Sequence, residues 1–422
     1  MHHPPFEFDG QASITPTGPI DYAMRDRAER MAPLMVRWRR QIHQNPELSF
    51  QEFETAKMIA EILRDIPGCQ VETNVAGTTG IVARIGQGEG PVVALRADMD
   101  GLPIEEVSTQ SFCSQNLGVM HACGHDAHSA IMLGVAHMVA EAFAQDEMVG
   151  QVIFVFQPAE ETPDENGRTG APYMMASGLL QDAEAILALH MDPEHPVGSV
   201  RLNDGPSMAN VDNFHGVILG QGGHGGYPHL GTDPLWMMVP VLQTLYALVS
   251  RRVSPLEPAA VSIGRVQGGT TSNVIPPEVV IEGTMRSYDP QTRDVLIQEV
   301  ERAFRMVRSL GGEYHLDIDR GEPAVRNHPG INRLVAAVVR DTLGHQSLAT
   351  GPFGMGGEDF GFMTEAIPGA MFFLGCAPKD GIRSLHAPTF DLDEDCLPVG
   401  AAILGEAVKR FLRMPRDSAS ID

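Results

Sequence analysis

The stretch "FQPAEE" (156–161) carries an apolar run into Pro158 and then into two adjacent carboxylates, Glu160 and Glu161. Neighbouring like charges repel, so the pair makes sense if a cation is held between them or if each carboxylate has a separate task. A denser cluster lies upstream in "MHACGHDAH" (120–128), where Cys123 and His125 flank Gly124. Glycine permits the sharp turn that aims a thiolate and an imidazole at one point. That donor pair suits zinc or another late first-row divalent ion. A helical pattern follows directly, so the Cys123 thiol is expected to have a lowered pKa. "RADMDG" (96–101) adds Asp98 and Asp100, and "AILALH" (185–190) ends on His190. Taken singly, each residue has a plainer reading: helix N-terminal charge for the glutamates, a small buried side chain for Cys123, a hydrogen-bonded structural imidazole for His190. Their concentration favours a metal centre.

The elements that must position these residues are legible as apolar runs. Residues 91–97, 151–157, 185–190 and 370–375 are apolar almost throughout, as strands buried on both faces are. Helical patterns over 128–143 and 330–344 lie between them. The expected fold is α/β: a mainly parallel sheet with helices on both faces and ligands gathered beyond the strands' carboxyl ends. The middle differs. Strand 213–219, helix 232–252, strands 259–267 and 278–287, helix 290–310 and strand 313–319 follow the ferredoxin-like βαββαβ order. The expected organisation is a discontinuous catalytic domain, 1–209 and 322–422, with a lid and dimerisation domain inserted at 210–321.

Composition limits the partners. A formal charge of −24 over 422 residues argues against nucleic acid or an anionic membrane as the main partner. No apolar run is expected to approach the roughly 18 residues of a membrane span. The first 24 residues lack the basic and apolar regions of a signal peptide and read as a loose arm. Five scattered cysteines form no disulfide framework and favour a reducing compartment, here the cytoplasm.

"RADMDGLPI", "GVMHACGHDAHSAIMLG", "FQPAEE", "GQGGHGGYPH", "GGTTSNVIPPEV", "GTMRSYDP", "MGGEDFGFM" and "LHAPTFDLDEDCLPVGA" occur in this order. Together they resemble the amidohydrolase branch of the aminoacylase/carboxypeptidase metallopeptidase clan, which includes hippurate, N-acyl-amino-acid and auxin-amide hydrolases. The resemblance runs from about residue 33 to 412. It implies two divalent ions (Zn, Mn, Co or Ni) bridged by Cys123, with Glu161 and His386 on one and His125 and His190 on the other. Glu160 would then be the general base, which gives the adjacent glutamates their separate tasks. It implies that His224 in the inserted domain steadies the oxyanion, and that Asn273 and Arg286 meet the substrate carboxylate. His229 reads as loop structure. Other branches place a metal-binding His where this chain has Asp98, so Asp98 and Asp100 become candidates for orienting the ligand imidazoles; Glu358 and Asp359 read as supporting or capping residues.

The implied reaction is hydrolysis of an N-acyl amino acid to a carboxylic acid and a free amino acid by a homodimer or larger homo-oligomer. A dipeptidase or carboxypeptidase of the same clan is the alternative. A hydrolase using Cys123 as nucleophile would leave Glu160, Glu161 and His386 unexplained. A binding protein without turnover would have no use for Glu160. The segment 162–178 departs from the short Gly-rich link common after the glutamate pair, which bears on substrate choice.

Overall fold

The structure, a computed structural model, describes residues 23–108 and 110–414. The expected N-terminal arm lies almost wholly outside them. The chain forms two compact units. One comprises the described parts of Met1–Gly205, Arg326–Pro352 and Phe362–Asp422; the other comprises Pro206–Val325 and Phe353–Gly361.

The first unit is built on an eight-stranded sheet. Its centre consists of Gln151–Gln157, Val92–Asp98, Ala185–Pro196 and Gly369–Ala377, each parallel to its neighbour. Flanking pairs are mostly antiparallel: Gln70–Thr73 on Ile81–Ile85, and Ile81–Ile85 on Gln151–Gln157. The sheet is therefore mixed, with a parallel core. Val92–Asp98 is buried at every position, including Arg96 and Asp98, which explains why it reads as continuous rather than alternating. The third strand does not stop at His190 as its apolar run suggests. It runs to Pro196 because its pairing with Gly369–Ala377 continues past His190, through a register shift near Gly375. Its pairing with Val92–Asp98 does end earlier, at Ala188 opposite Arg96, so His190 lies just beyond that shared edge.

Helix His125–Ala144 packs against this sheet, beside helices Ala23–Gln44 and Cys396–Leu412. By length and apolar composition it reaches what a membrane crossing requires, contrary to the expectation that no segment does. Most of it is buried in the unit's own core, and burial on all sides is what makes a core helix apolar all round.

The second unit contains a four-stranded antiparallel sheet in the order Ala259–Gln267, Glu278–Ser287, Asn210–Leu219, Glu313–Arg320. Helices Pro234–Arg252 and Pro290–Ser309 pack on it. Each starts with Pro at the first turn behind an Asp cap: Asp233 accepts from the Leu235 amide at 2.9 Å, Asp289 from that of Thr292 at 2.9 Å. These are favourable starts, because the first-turn amides have no helical partner. The sheet approaches the second helix through glycine. A Cβ on Gly216 would lie 2.2 Å from the Phe304 ring, which also meets Phe214 edge-on at 6.2 Å. Gly216→Ala is expected to destabilise this unit by about 1–3 kcal/mol through overpacking. Urea unfolding followed through this unit's only tryptophan, Trp236, would register it.

Candidate metal centre

Four chain segments of the first unit meet at the centre. Cys123 Sγ lies 3.4 Å from His190 Nε2, and single ligand atoms of Cys123, His125 and His190 fall within 4.8 Å of one another. Cys123, Glu161 and His386 form a second such triad, and His125, Glu160 and Glu161 a third. Cys123 is thus common to two groups that differ in all other members. His386 Nε2 stands 3.1 Å from Glu161 Oε1. Every residue that the resemblance assigned to metal or proton transfer in this unit is therefore in one neighbourhood.

The backbone is bent into unusual conformations to bring these residues together. Gly124 has φ +92°, and a Cβ there would stand 2.7 Å from Met191. Two residues with side chains also adopt left-handed backbone: Ala159, φ +50°, immediately before Glu160, and His386, φ +58°. Such conformations cost about 1–3 kcal/mol each and persist only where the surroundings hold them. The His386 amide donates to Ala122 O at 2.8 Å, tying it to the Cys123 segment.

Hydrogen bonds fix the imidazole tautomers. His125 Nδ1 donates to Asp100 O at 2.9 Å, with Asp100 Oδ1 at 3.2 Å. His190 Nδ1 donates to Met191 O at 2.8 Å. Each leaves Nε2 directed into the centre. His128 supports them from below: Nδ1 donates to Asp98 Oδ1 at 2.7 Å and Nε2 accepts from the Met191 amide at 3.0 Å. Burial holds His128 down near pKa 4, and as the neutral imidazole it can accept that amide. Asp98 is occupied by His128 and by Arg96 at 2.6 Å, so it meets His125 Nε2 only at 3.8 Å.

The electrostatics call for a cation. The expectation of a lowered Cys123 pKa is overturned: burial, then the charges of Glu161, Glu160 and Asp98, push the thiol well up. Burial and these carboxylates together outweigh the helix N-terminus that prompted the expectation. Burial alone would lower His125, but Asp98 and Asp100 raise it to about 10. Protons on the thiol and imidazole thus compensate a surplus of negative charge. His125 Nε2 is buried without a hydrogen-bond partner, a costly state for a polar atom. Sulfur, imidazole nitrogen and carboxylate oxygen directed at one point fit divalent ions.

The remaining residues singled out in the sequence belong to the second unit. His224 lies in a two-stranded ribbon where Gly223–His224 pairs with Val274–Ile275, and the Gly225 amide donates to Asn273 O at 2.8 Å. His224 and Asn273 are exposed neighbours. Half-buried Arg286 donates to Met285 O at 3.1 Å and to Thr284 Oγ1. His229 is exposed on a short 3₁₀ turn. Glu358 accepts from the Phe360 amide at 3.0 Å.

Sequence reasoning missed the segment 39–52, which braces the centre. Arg39, fully buried, makes ion pairs with Asp126, Asp391 and Glu394 at 2.9–3.1 Å. His43 Nδ1 meets Asp126 at 2.8 Å. Ser49 donates to Asp100 Oδ2 at 2.7 Å. Glu52 accepts from the Ala159 amide at 2.8 Å, and burial followed by the Asp100 charge raises it to about 7. One signal was available for Glu52: with Thr55, Ile59 and Leu63 it continues the buried stripe of helix Phe53–Arg64, an odd place for an acid.

A mixed α/β unit that directs a thiol, imidazoles and carboxylates to one point beyond its parallel strands has the donors of a divalent-metal site. The chain belongs to peptidase family M20/M25/M40, whose profile matches residues 94–410. It is 38% identical over 389 residues to N-acetyl-L-cysteine deacetylase of Bacillus subtilis, covering 91% of this chain and 89% of that one. It is 36% identical over 375 residues to thermostable carboxypeptidase 2 of Saccharolobus solfataricus, covering 87% and 92%. Among solved structures it superimposes on the Bacillus subtilis YXEP protein, a dinuclear metal-binding peptidase of the M20 family. That match has a TM-score of 0.79 and 33% identity, over 92% of this chain and all of the other. The chain is a hydrolase of amide bonds, and its chemistry depends on divalent metal.

The brace has a definite pH signature. Burial alone would raise the Asp126 carboxyl; Arg39 and His43 outweigh it and hold it far below the carboxylate range. That stabilisation is present above the unfolded pKa of about 4 and is lost as pH falls below it. His43, lowered by burial but raised more by Asp126 and Glu106, reaches about 9. Its contribution is complete below about pH 6.5 and is lost as pH rises through 9. Asp126→Asn is expected to cost about 3–5 kcal/mol between these limits. Urea unfolding across pH should show the gap to the parent narrowing on both sides.

Proposed function

We propose that this protein hydrolyses the amide bond of N-acyl amino acids, releasing a carboxylic acid and a free amino acid. The observation that carries the reading is Cys123 standing in two ligand triads with Glu160 beside Glu161. Support for the substrate class comes from the N-acetyl-L-cysteine deacetylase of Bacillus subtilis, at 38% identity.

In this reading Cys123, His125 and His190 would hold one divalent ion, and Cys123, Glu161 and His386 the other. When bound, these ions would polarise the scissile carbonyl and acidify water. Zn, Mn, Co and Ni all suit the donors. Glu160 accepts a proton from the attacking water as the new C–O bond forms, then delivers it to the amine nitrogen as the C–N bond breaks. Asp100 and Met191 O keep the Nδ1 protons of His125 and His190, so that neither ring turns its donor towards the centre.

For the second unit we propose a ferredoxin-like lid, formed by 210–321, that also joins subunits. His224 would donate to the developing oxyanion. Asn273 and Arg286 would hold the substrate carboxylate; in support, the Arg286 guanidinium donates to neutral acceptors, Met285 O and Thr284 Oγ1. A cytoplasmic location belongs to the same proposal. The relative named as a carboxypeptidase favours a second reading in which a peptide is the substrate.

Amine release from acetyl, benzoyl and long-chain acyl amino acids, with free dipeptides alongside and with Mn²⁺ or chelator, tests the choice. Chelator-sensitive cleavage of the acylated set is expected. Cleavage confined to peptides would replace the proposal with the second reading. Glu160→Gln is expected to lower kcat by about 10²–10⁴-fold with metal content unchanged. Near-parental turnover in this variant would remove Glu160 from the role of proton carrier.

A further inference from the structure

Glu52 is buried completely and lies outside every cluster discussed as a metal ligand set. Its Oε1 accepts from the amides of Phe50 at 3.0 Å and Ala159 at 2.8 Å; its Oε2 accepts from Thr79 Oγ1 at 2.5 Å. The Ala159 amide opens the turn that carries Glu160 and Glu161, and Ala159 itself is left-handed, a conformation its Cβ disfavours by about 1–2 kcal/mol.

The rest of that turn is pinned from other sides. The Gly170 amide donates to Ala159 O at 2.8 Å, and a Cβ on Gly170 would collide with Pro158 O at 1.7 Å. The Glu161 amide donates to Asp100 Oδ2 at 3.1 Å. Glu52 supplies the remaining hold, on the amide side of the left-handed residue. Without it, Ala159 gains freedom to return to right-handed or extended backbone, and that rotation would redirect Glu160 while Glu161 stayed anchored through Asp100.

We propose that Glu52 is a positioning residue for Glu160, holding the Ala159 amide so that the turn presents the two adjacent glutamates to different partners. The proposal rests on Glu160 being the proton carrier. What it requires of Glu52 is an acceptor at Oε1, and a glutamine retains one: its carbonyl can face both amides while its NH₂ group donates to Thr79 Oγ1. An alanine retains nothing.

The test compares Glu52→Ala with Glu52→Gln in metal-reconstituted protein, by steady-state kinetics, metal content and peptide-level amide exchange over 157–162. Glu52→Ala is expected to lose about 10- to 100-fold in kcat, with KM changed by less than about threefold, metal content unchanged and exchange over 157–162 accelerated. Glu52→Gln is expected to restore both kcat and the slow exchange. A residue serving only fold stability would lower the unfolding midpoint in Glu52→Ala while leaving kcat per folded, metal-loaded molecule at the parental value; that result overturns the proposal. So does a glutamine variant as impaired as the alanine one. Should Glu52→Ala fail to fold, Glu52→Met keeps the length of the side chain without an oxygen acceptor, and parental kcat with parental exchange in it would equally overturn the assignment. If Glu160→Gln proves active, the proton-carrier reading falls separately, and the exchange contrast between the two Glu52 variants still decides whether the clamp exists.

Discussion

Uncompensated negative charge in a buried space is the constraint from which the rest of this structure follows. Asp98, Asp100, Glu160, Glu161 and the Cys123 sulfur converge where the central strands end, and most of them are removed from water. Carboxylates in such a place must be protonated, paired or bound to a cation. Arg96 neutralises Asp98, to which the neutral His128 also donates, and Ser49 and His125 occupy Asp100. Glu161 and Cys123 face inward, towards each other. The fold meets its outer carboxylates with its own donors, and Glu161 with His386.

That arrangement dictates the backbone around it. Side chains from separate segments can reach one point only if the chain turns sharply beside each of them. The turns at Gly124, Ala159 and His386 occur at those places, two of them in residues whose side chains disfavour the conformation. The strain is held by hydrogen bonds: Ala122 O, in the Cys123 segment, accepts from the His386 amide, and Glu52, from a segment outside the cluster, accepts from that of Ala159. Much of the surrounding polar structure, including the fully buried Arg39, is scaffolding of this kind.

What could be read from the sequence divides along the same line. The central strands and helix His125–Ala144 were legible because burial on both faces writes itself as unbroken apolar runs. In the second unit, strands 259–267 and 278–287 were legible to the residue, since prolines and glycines bound them. The motifs place Cys123, His125, Glu161, His190 and His386 close to one another in overlapping groups. The bracing residues were not legible, because a buried ion pair looks like a surface one in a list of letters. Arg39 and Arg40 are adjacent and identical, yet the first is wholly buried and the second has a side chain 46% exposed. The thiol of Cys123 misled for a related reason: its place before a helix is local and visible, whereas the burial that chiefly raises its pKa, and the carboxylates that add to it, come from distant segments.

The pairing of Arg39 with Glu394 spans 355 positions, and His386 enters the centre from the same late part of the chain. Both contacts therefore wait for residues 386–394 to be added to the chain. Cys123, His125 and His190 come together from residues 123–190 alone, whereas the group of Cys123, Glu161 and His386 draws on that later segment. The two groups that share one sulfur thus differ in contact order: a chain cut short of His386 would keep every member of the first and lose one member of the second.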